Sequence, residues 1–437
     1  MSTIVIECIL ELISVIGYFL SVAAFWFIFR KLKQSKWMAF IPGLRYYQLG
    51  VCVDRDKEGA TLVVLEFLDF VFDISRLLII EEMPLYINIA DYAVKICILV
   101  YTIKLYIELC RMFGRSKRWL LAFCFFEEIT LLYWGLSKKF EPAPSDCDEA
   151  IGVSNSRVAP LEEGLTVNLY DRTASEFFIK KTLLRDIHLT IPMGRMVLLL
   201  GGSGAGKTTF VNAVNGYEMA NAQILLHGHD VYQEYDKMKY NMGFVPQQDL
   251  MRGSDTVINT LTDAAKVKLP TSVRGKELKE RVKEVLEEFG LWSLRNSLVE
   301  KLSGGQRKRL SIALEYISDP DIFFLDEPDS GLDGVVARGL FVRLRKIADE
   351  NKIVVVITHT PDRVIDLFDD VIVLAKDNRR CGRLAFYGTV SDSYAFFDKK
   401  SMEDILKAIN QKDEGGDGKA GAFVKKYTAK MRMGAAG

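Results

Sequence analysis

An α/β domain preceded by a small all-α transmembrane bundle is the fold class this sequence predicts. Three observations lead there. Residues 4–29 are almost wholly apolar, and three further apolar stretches follow before residue 140. From about residue 160, short β-like runs alternate with helical patterns. A chain of 437 residues is also too long for one ordinary domain.

The first stretch, IVIECILELISVIGYFLSVAAFWFIF, has only Glu7 and Glu11 as charges. About 20 apolar residues cross a bilayer, so its length suffices. Its start, MSTIVIE, lacks the basic residues of a cleaved signal, and it reads as a retained anchor. The basic run RKLKQSK places the following loop on the cytoplasmic side and the N-terminus outside.

The candidate spans 61–80, 84–108 and 118–137 carry more charge. Segment 61–80 includes Glu66, Asp69, Asp73 and Arg76. Each central charge costs about 2.5 to 3.5 kcal/mol against about 0.3 to 0.6 kcal/mol gained per apolar residue, so this segment does not insert alone. Asp69, Asp73 and Arg76 fall near one helical face, and Asp91 and Lys95 are four apart, so pairing inside a bundle offsets the charges. Glu127 and Glu128 interrupt the last segment. An outside N-terminus and a cytosolic second half require an odd number of crossings. One segment therefore lies on the surface, or the basic loop departs from the positive-inside tendency. The stretch KWMAFIPGLRYYQLG (37–51), with Trp37, Tyr46 and Tyr47, suits the headgroup layer. The expected location is the cell membrane, multi-pass, with the lipid bilayer as a partner and the second half cytoplasmic.

Lysine plus arginine and aspartate plus glutamate each number 57, so nothing suggests bulk attraction to nucleic acid. Seven scattered cysteines include no C-x-x-C pair, which argues against a disulfide framework or a zinc site. The run KKFEPAPSDCDEA marks a linker. The expected organisation is membrane helices over 1–140, a linker over 141–159, an α/β domain over 160–400 and a helical or flexible tail over 401–437.

Within the α/β half, RMVLLLGGSGAGKTTFVNAV reads as strand, loop and helix. Gly201, Gly206, Lys207 and Thr208 fill the pattern G-x-x-x-x-G-K-[ST] of a P-loop NTPase. The loop residues Gly201, Gly202, Ser203, Gly204, Ala205, Gly206, Lys207, Thr208 and Thr209 are candidate nucleotide-binding residues. Glycines let backbone N–H groups curl around phosphate oxygens, and the helix start adds positive potential. Lys207 would reach the β- and γ-phosphates, and Thr208 would ligate Mg²⁺. The expected cofactors are ATP and Mg²⁺. In DIFFLDEPDSGLD, a core strand ends in Asp326 and Glu327. Asp326 can hold the Mg²⁺ shell. Glu327 can orient or deprotonate the attacking water.

The loop, LSGGQ, FFLDEP, SGLD and ITHT occur in that order. Over residues 160–400 the chain resembles the nucleotide-binding domain of ABC ATPases, with its helical subdomain. The segments at 255–270, 302–315 and 368–388 resemble the G, or white-type, subfamily. The resemblance implies a head-to-tail dimer, homomeric or heteromeric. In it Ser303, Gly304, Gly305 and Gln306 of one copy cap the γ-phosphate held by Lys207 of the other. It implies that Gln247, beside the near-equivalent Gln248, senses Mg²⁺ and water and couples to a membrane partner. It places His359 against the γ-phosphate and Asp333 across the dimer seam. Phe177 or Phe178, with Phe178 preferred, would stack on adenine, where family members often carry tyrosine. White-type proteins continue into about six membrane helices, so the substrate pathway is expected in another chain or in the N-terminal segments, with a separate permease as the expected partner. The expected activity is ATP hydrolysis coupled to transport, with Glu327, His359 and Gln247 catalytic. The alternative is a regulatory ATPase whose N-terminal Asp69, Asp73, Asp91 and Glu128 bind a signal. The segment 275–291 reads as an amphipathic helix with Leu278, Val282, Val285 and Phe289 inward.

Overall fold

A computed structural model describes residues 2–142, 157–377 and 379–434, apart from positions 33, 54, 79–83, 177, 178, 412 and 413. The side chains of 2–11, 14, 175, 176, 179, 180 and 432–434 are not described. The chain divides into two units, one of residues 1–145 with 174–181, the other of 146–173 with 182–437.

The first unit holds six helices among the described residues. These are α1 (Ser2–Lys31), α2 (Pro42–Cys52), α3 (Asp56–Leu78), α4 (Leu85–Met112), α5 (Trp119–Phe125) and α6 (Glu127–Leu136). Phe25, Phe29, Leu105, Leu109, Phe123 and Trp134 fill its core. Helices α1 and α6 approach closely at Gly135, where a Cβ would stand 2.7 Å from the Cβ of Phe27. Lys31 Nζ donates to the carbonyls of Trp134, Ser137 and Phe140 at 2.6, 2.8 and 2.7 Å. A cation thus closes the end of α6, where helical carbonyls lack partners.

The expected pairing of charges is present. Arg76 bonds Asp91, and Lys95 stands 3.3 Å from Asp91, 3.6 Å from Asp69 and 3.9 Å from Asp73. The fourth candidate span is not one helix. Phe126, at φ −141° and ψ 55°, breaks 118–137 into α5 and α6. Glu127 opens α6, which favours a helix start at that point. Its carboxylate accepts from Tyr46 Oη at 2.7 Å and from Tyr106 Oη. At 1.5 Å per residue, the 7 and 10 residues of α5 and α6 reach about 10 and 15 Å, short of a bilayer core of about 30 Å. Among the described residues, no helix is long and apolar enough to cross a membrane. Charges explain this for α3 and α4. The described side chains of α1 begin only at Leu12, although its backbone is helical from Ser2.

The second unit is an α/β domain. Its strands are β1 (Leu165–Glu176), β2 (Ile179–Ile191), β3 (Met196–Gly201), β4 (Asn221–Leu226), β5 (His229–Asp230), β6 (Met242–Val245), β7 (Ile322–Asp326), β8 (Ile353–Ile357), β9 (Asp370–Lys376) and β10 (Gly382–Thr389). They form one sheet in the order β5-β4-β1-β2-β10-β9-β3-β8-β7-β6. Pairings from β9 through β3, β8 and β7 to β6 are parallel. These strands are continuous apolar runs because helices cover both faces of such a sheet. Their carboxyl ends lie along one edge, the usual place for a ligand in parallel α/β sheets.

Nine further helices complete the unit among the described residues. They are α7 (Lys207–Val214), α8 (Tyr235–Met238), α9 (Val257–Lys268), α10 (Lys276–Glu288), α11 (Gly304–Tyr316), α12 (Gly334–Asp349), α13 (Val390–Phe397), α14 (Met402–Ile409) and α15 (Ala420–Gly434). The amphipathic reading of 275–291 is met at Val282, Val285 and Phe289, which are buried with Leu286, while Leu278 is half-buried against the core. Helix α15 adds Val424 and Tyr427 to the core, and Tyr427 Oη donates to the Tyr387 carbonyl at 3.2 Å.

Candidate functional site

The residues singled out in the sequence collect at the ends of β3, β6, β7 and β8. After β3 the loop curls tightly. Gly204 and Gly206 have φ of 66° and 88°, a region side-chain-bearing residues avoid. A Cβ on Gly206 would also meet Leu184 Cδ2 at 2.4 Å. Ala205 is buried, and its N–H donates to the Gly202 carbonyl at 3.1 Å. Ser203 is exposed and Thr209 half-buried on α7. Lys207 Nζ folds back over the loop, donating to the carbonyls of Gly201 and Gly202 at 2.7 and 3.2 Å. Burial holds the Lys207 ammonium below its usual range, with Asp326 and Glu327 opposing that and Lys376 reinforcing it.

Thr208 Oγ1 donates to Asp326 Oδ2 at 3.3 Å, joining the start of α7 to the end of β7. The pair offers a hydroxyl and a carboxylate at one point, a donor set that suits Mg²⁺. Burial pushes the Asp326 carboxyl upward, and neighbouring Glu327 adds to this while the Thr208 hydroxyl opposes it.

Glu327 sits at the focus. Its φ of 48° is left-handed, a costly backbone state for this residue type that concentrates at functional sites. Its N–H donates to the Ile357 carbonyl at 2.9 Å, fixing it to β8. Gln247 Nε2 donates to one carboxylate oxygen at 2.7 Å. His359 Nε2 lies 2.6 Å from the other. Of the two adjacent glutamines, Gln247 is the one that reaches Glu327. A cavity of about 290 Å³ opens beside Glu327 and His359, lined also by Ser330, Gly331 and Arg338.

Sequence reasoning missed the groups that brace this cluster. Asp329 accepts from Thr358 Oγ1 at 2.7 Å and Thr360 Oγ1 at 3.0 Å, gripping both neighbours of His359. Lys308, buried on α11, binds the Gln247 loop. No local pattern signals either role, because the partners lie tens of positions away.

The segment 303–306 stands apart. Ser303 Oγ accepts from the Gln306 N–H at 3.3 Å, and Gln306 Oε1 accepts from the Ser303 N–H at 2.9 Å. This reciprocal cap opens α11 and leaves Ser303 and Gly304 exposed. Gly305 is tight, since a Cβ there would meet Val336 Cγ1 at 2.6 Å. These side chains bond one another rather than the 201–209 loop. Asp333 caps α12, accepting from Val335 and Val336 N–H at 3.1 and 2.9 Å. Phe177 and Phe178 lie outside the described residues.

Residues 184–330 match the family described as ABC transporter. The chain carries an ABC transporter ATP-binding domain. It resembles the domain of the G subfamily in particular. Similar relatives include the ABC transporter ATP-binding/permease protein Rv1747 of Mycobacterium tuberculosis, 39% identical over 52% of this chain and 26% of its own length. ABC transporter G family member 28 of Arabidopsis thaliana is 37% identical over 50% of this chain and 20% of its own. The chain thus spans about a quarter of the length of these curated relatives. Among solved structures, cbiO1 of Clostridium perfringens, part of the ABC transporter complex cbiONQ, is 26% identical. That likeness covers 53% of this chain and 92% of that one, with a TM-score of 0.46. ABC ATPase domains bind ATP, generally with Mg²⁺, and ATP hydrolysis is their general activity.

Proposed function

We propose that this chain binds Mg-ATP and hydrolyses it as one half of a head-to-tail pair of ATP-binding domains, and that the cycle drives a membrane-spanning permease. In this reading Lys207 and the 201–209 backbone hold the β- and γ-phosphates. Thr208 and Asp326, with Gln247, hold Mg²⁺. Glu327 takes the proton of the attacking water, and His359 steadies the γ-phosphate. Catalysis then rests on positioning and charge stabilisation around the transferred group.

The observation that carries the reading is the meeting of Gln247, Glu327 and His359 beside the Lys207 loop. The separate position of the Ser303 cap supports the paired arrangement. An exposed helix start with free N–H groups is an anion site, and its own loop does not occupy it. A second copy would bring a triphosphate there, and would place Asp333 at the seam.

Membrane attachment is part of the proposal. Residues 12–29 of α1 carry no charge. Ile13, Phe19, Phe67 and Ile96 are 58%, 62%, 64% and 62% exposed in a unit with a well-filled core. Exposed apolar surface of that kind marks a lipid or protein contact. We place α1 across the bilayer and the ATP-binding domain on its cytoplasmic side. The sensor alternative, with Asp69, Asp73, Asp91 and Glu128 as its binding groups, has no specific observation behind it, since the three aspartates are already engaged by Arg76 and Lys95.

The test uses the full chain in detergent or lipid discs. Specific ATPase activity should rise with protein concentration, as a paired site requires. Purification from membranes should bring a polytopic protein along and raise the rate further. Activity independent of concentration, at the full rate for a lone protomer, would refute the paired site.

A further inference from the structure

Helix α11 begins at the exposed Ser303 cap, and its Lys308 reaches the loop that carries Gln247. The helix grips the end of β6 and that loop at two points on one helix face, seven residues apart. Glu315 Oε2 accepts from the Phe244 N–H at 3.3 Å. Two turns earlier, Lys308 Nζ donates to the Gln247 carbonyl at 3.0 Å and reaches the Pro246 carbonyl at 3.5 Å. Asp249 closes the ring, with its carboxylate 3.0 Å from the same ammonium. The Lys308 side chain is 5% exposed and that of Asp249 is 17% exposed.

A buried ammonium needs full hydrogen bonding to offset its lost hydration. Here its acceptors belong to one short loop, Pro246 to Asp249. A buried ion pair alone could have been made with any surface carboxylate. This one instead spends two donors on backbone carbonyls flanking the residue that bonds Glu327.

We propose that Lys308 is a positioning residue for hydrolysis. It fastens the Gln247 loop to the helix that begins at Ser303, so that the placement of the Gln247 amide against Glu327 depends on where that helix sits. This rests on the functional reading above, in which Gln247 and Glu327 act on Mg²⁺ and water. It goes further by joining the exposed cap of one half-site to the hydrolytic carboxylate of the other within a single chain.

The experiment compares Lys308→Met, Lys308→Arg and Asp249→Asn in the full-length protein. Lys308→Met should lower kcat about tenfold or more while the KM for ATP changes by less than about twofold. Lys308→Arg should recover much of the loss, and Asp249→Asn should show a smaller loss of the same kind. In a Gln247→Ala background, Lys308→Met should add little, because the group it positions is gone. Amide exchange over residues 244–250 should quicken in Lys308→Met and stay unchanged over 199–214. An unchanged kcat, or losses that multiply in the double variant, would overturn the proposal. Failure of the underlying reading shows elsewhere, as Glu327→Gln turning over normally, whereas the exchange result does not depend on Glu327.

Discussion

Gln247 Nε2 donates to Glu327 Oε2 at 2.7 Å, although the two residues lie 80 positions apart in the chain. Adjacent parallel strands make this possible. β6 and β7 are paired from Met242–Ile322 to Val245–Leu325, so the residues just beyond their carboxyl ends stand side by side. With His359 on the other oxygen, Glu327 is held on both sides by neutral or basic groups that a reacting water could displace.

That arrangement makes Glu327→Gln the most informative single change. Binding of ATP should persist, because Lys207 and the loop are untouched. Turnover should fall about a hundredfold or more, the usual worth of a general base. Nucleotide-binding and phosphate-release assays on the same preparation separate the two effects. Equal turnover in variant and parent would remove the base assignment.

Lys207→Ala should act one step earlier. A charged donor to phosphate contributes about 1.5 to 3 kcal/mol, so ATP affinity should drop about 10- to 100-fold. The thermal midpoint without nucleotide should change little, since the lysine's hydrogen bonds go to two carbonyls of its own loop and its burial already disfavours the charge. A titration with a fluorescent ATP analogue reads the first, a melt the second.

Ser303 allows its cap to be separated from its proposed partner role. Ser303→Ala should destabilise α11 by about 1 kcal/mol through loss of the cap. Ser303→Asp retains a good cap and should leave the melting point near that of the parent. It nevertheless sets a negative charge where a second copy's γ-phosphate is proposed to arrive. Hydrolysis should therefore be abolished in Ser303→Asp. Normal turnover in that variant would show that the cap has only a structural role.

Asp326 makes a pH-dependent prediction. Burial raises its carboxyl above the usual value of 3.8. The folded protein then binds that proton more tightly than the unfolded chain does. The group's stability contribution is present below about pH 3.8 and is lost as pH rises toward its raised value. Asp326→Asn removes this penalty. Without nucleotide, the variant should melt above the parent near neutral pH, and the gap should close toward about pH 4. Adding Mg-ATP should stabilise the parent and not the variant. Melts across about pH 4 to 8 decide it, and a gap that widens on acidification would contradict the assignment.

Much of the site was legible because its parts are local. The loop pattern names its own glycines, and Gly206 is required by a backbone angle set within a few residues of the strand, which the approach of Leu184 from β2 reinforces. The Ser303–Gln306 cap is likewise a four-residue device. The N-terminal helical unit was less legible. The run 118–137 reads as one candidate span carrying Glu127 and Glu128 mid-segment, yet Glu127 turns inward to two tyrosine hydroxyls and the helix breaks before it. Composition registers the carboxylate as a cost and does not reveal the partners that absorb it.

The order of the strands explains the rest. Hydrophobic periodicity and turn chemistry determined from sequence alone that an apolar N-terminal half precedes an α/β half with a phosphate-type loop and a strand-terminal Asp-Glu pair. Only the tertiary structure decided which of Gln247 and Gln248 reaches Glu327, that Asp329 clasps both neighbours of His359, and that Lys308 binds the Gln247 loop to α11. Each of these is a side-chain bond across elements distant in the chain. Such bonds follow from the sheet order β3-β8-β7-β6, which arises when many buried faces are satisfied at once. No single stretch of residues encodes it.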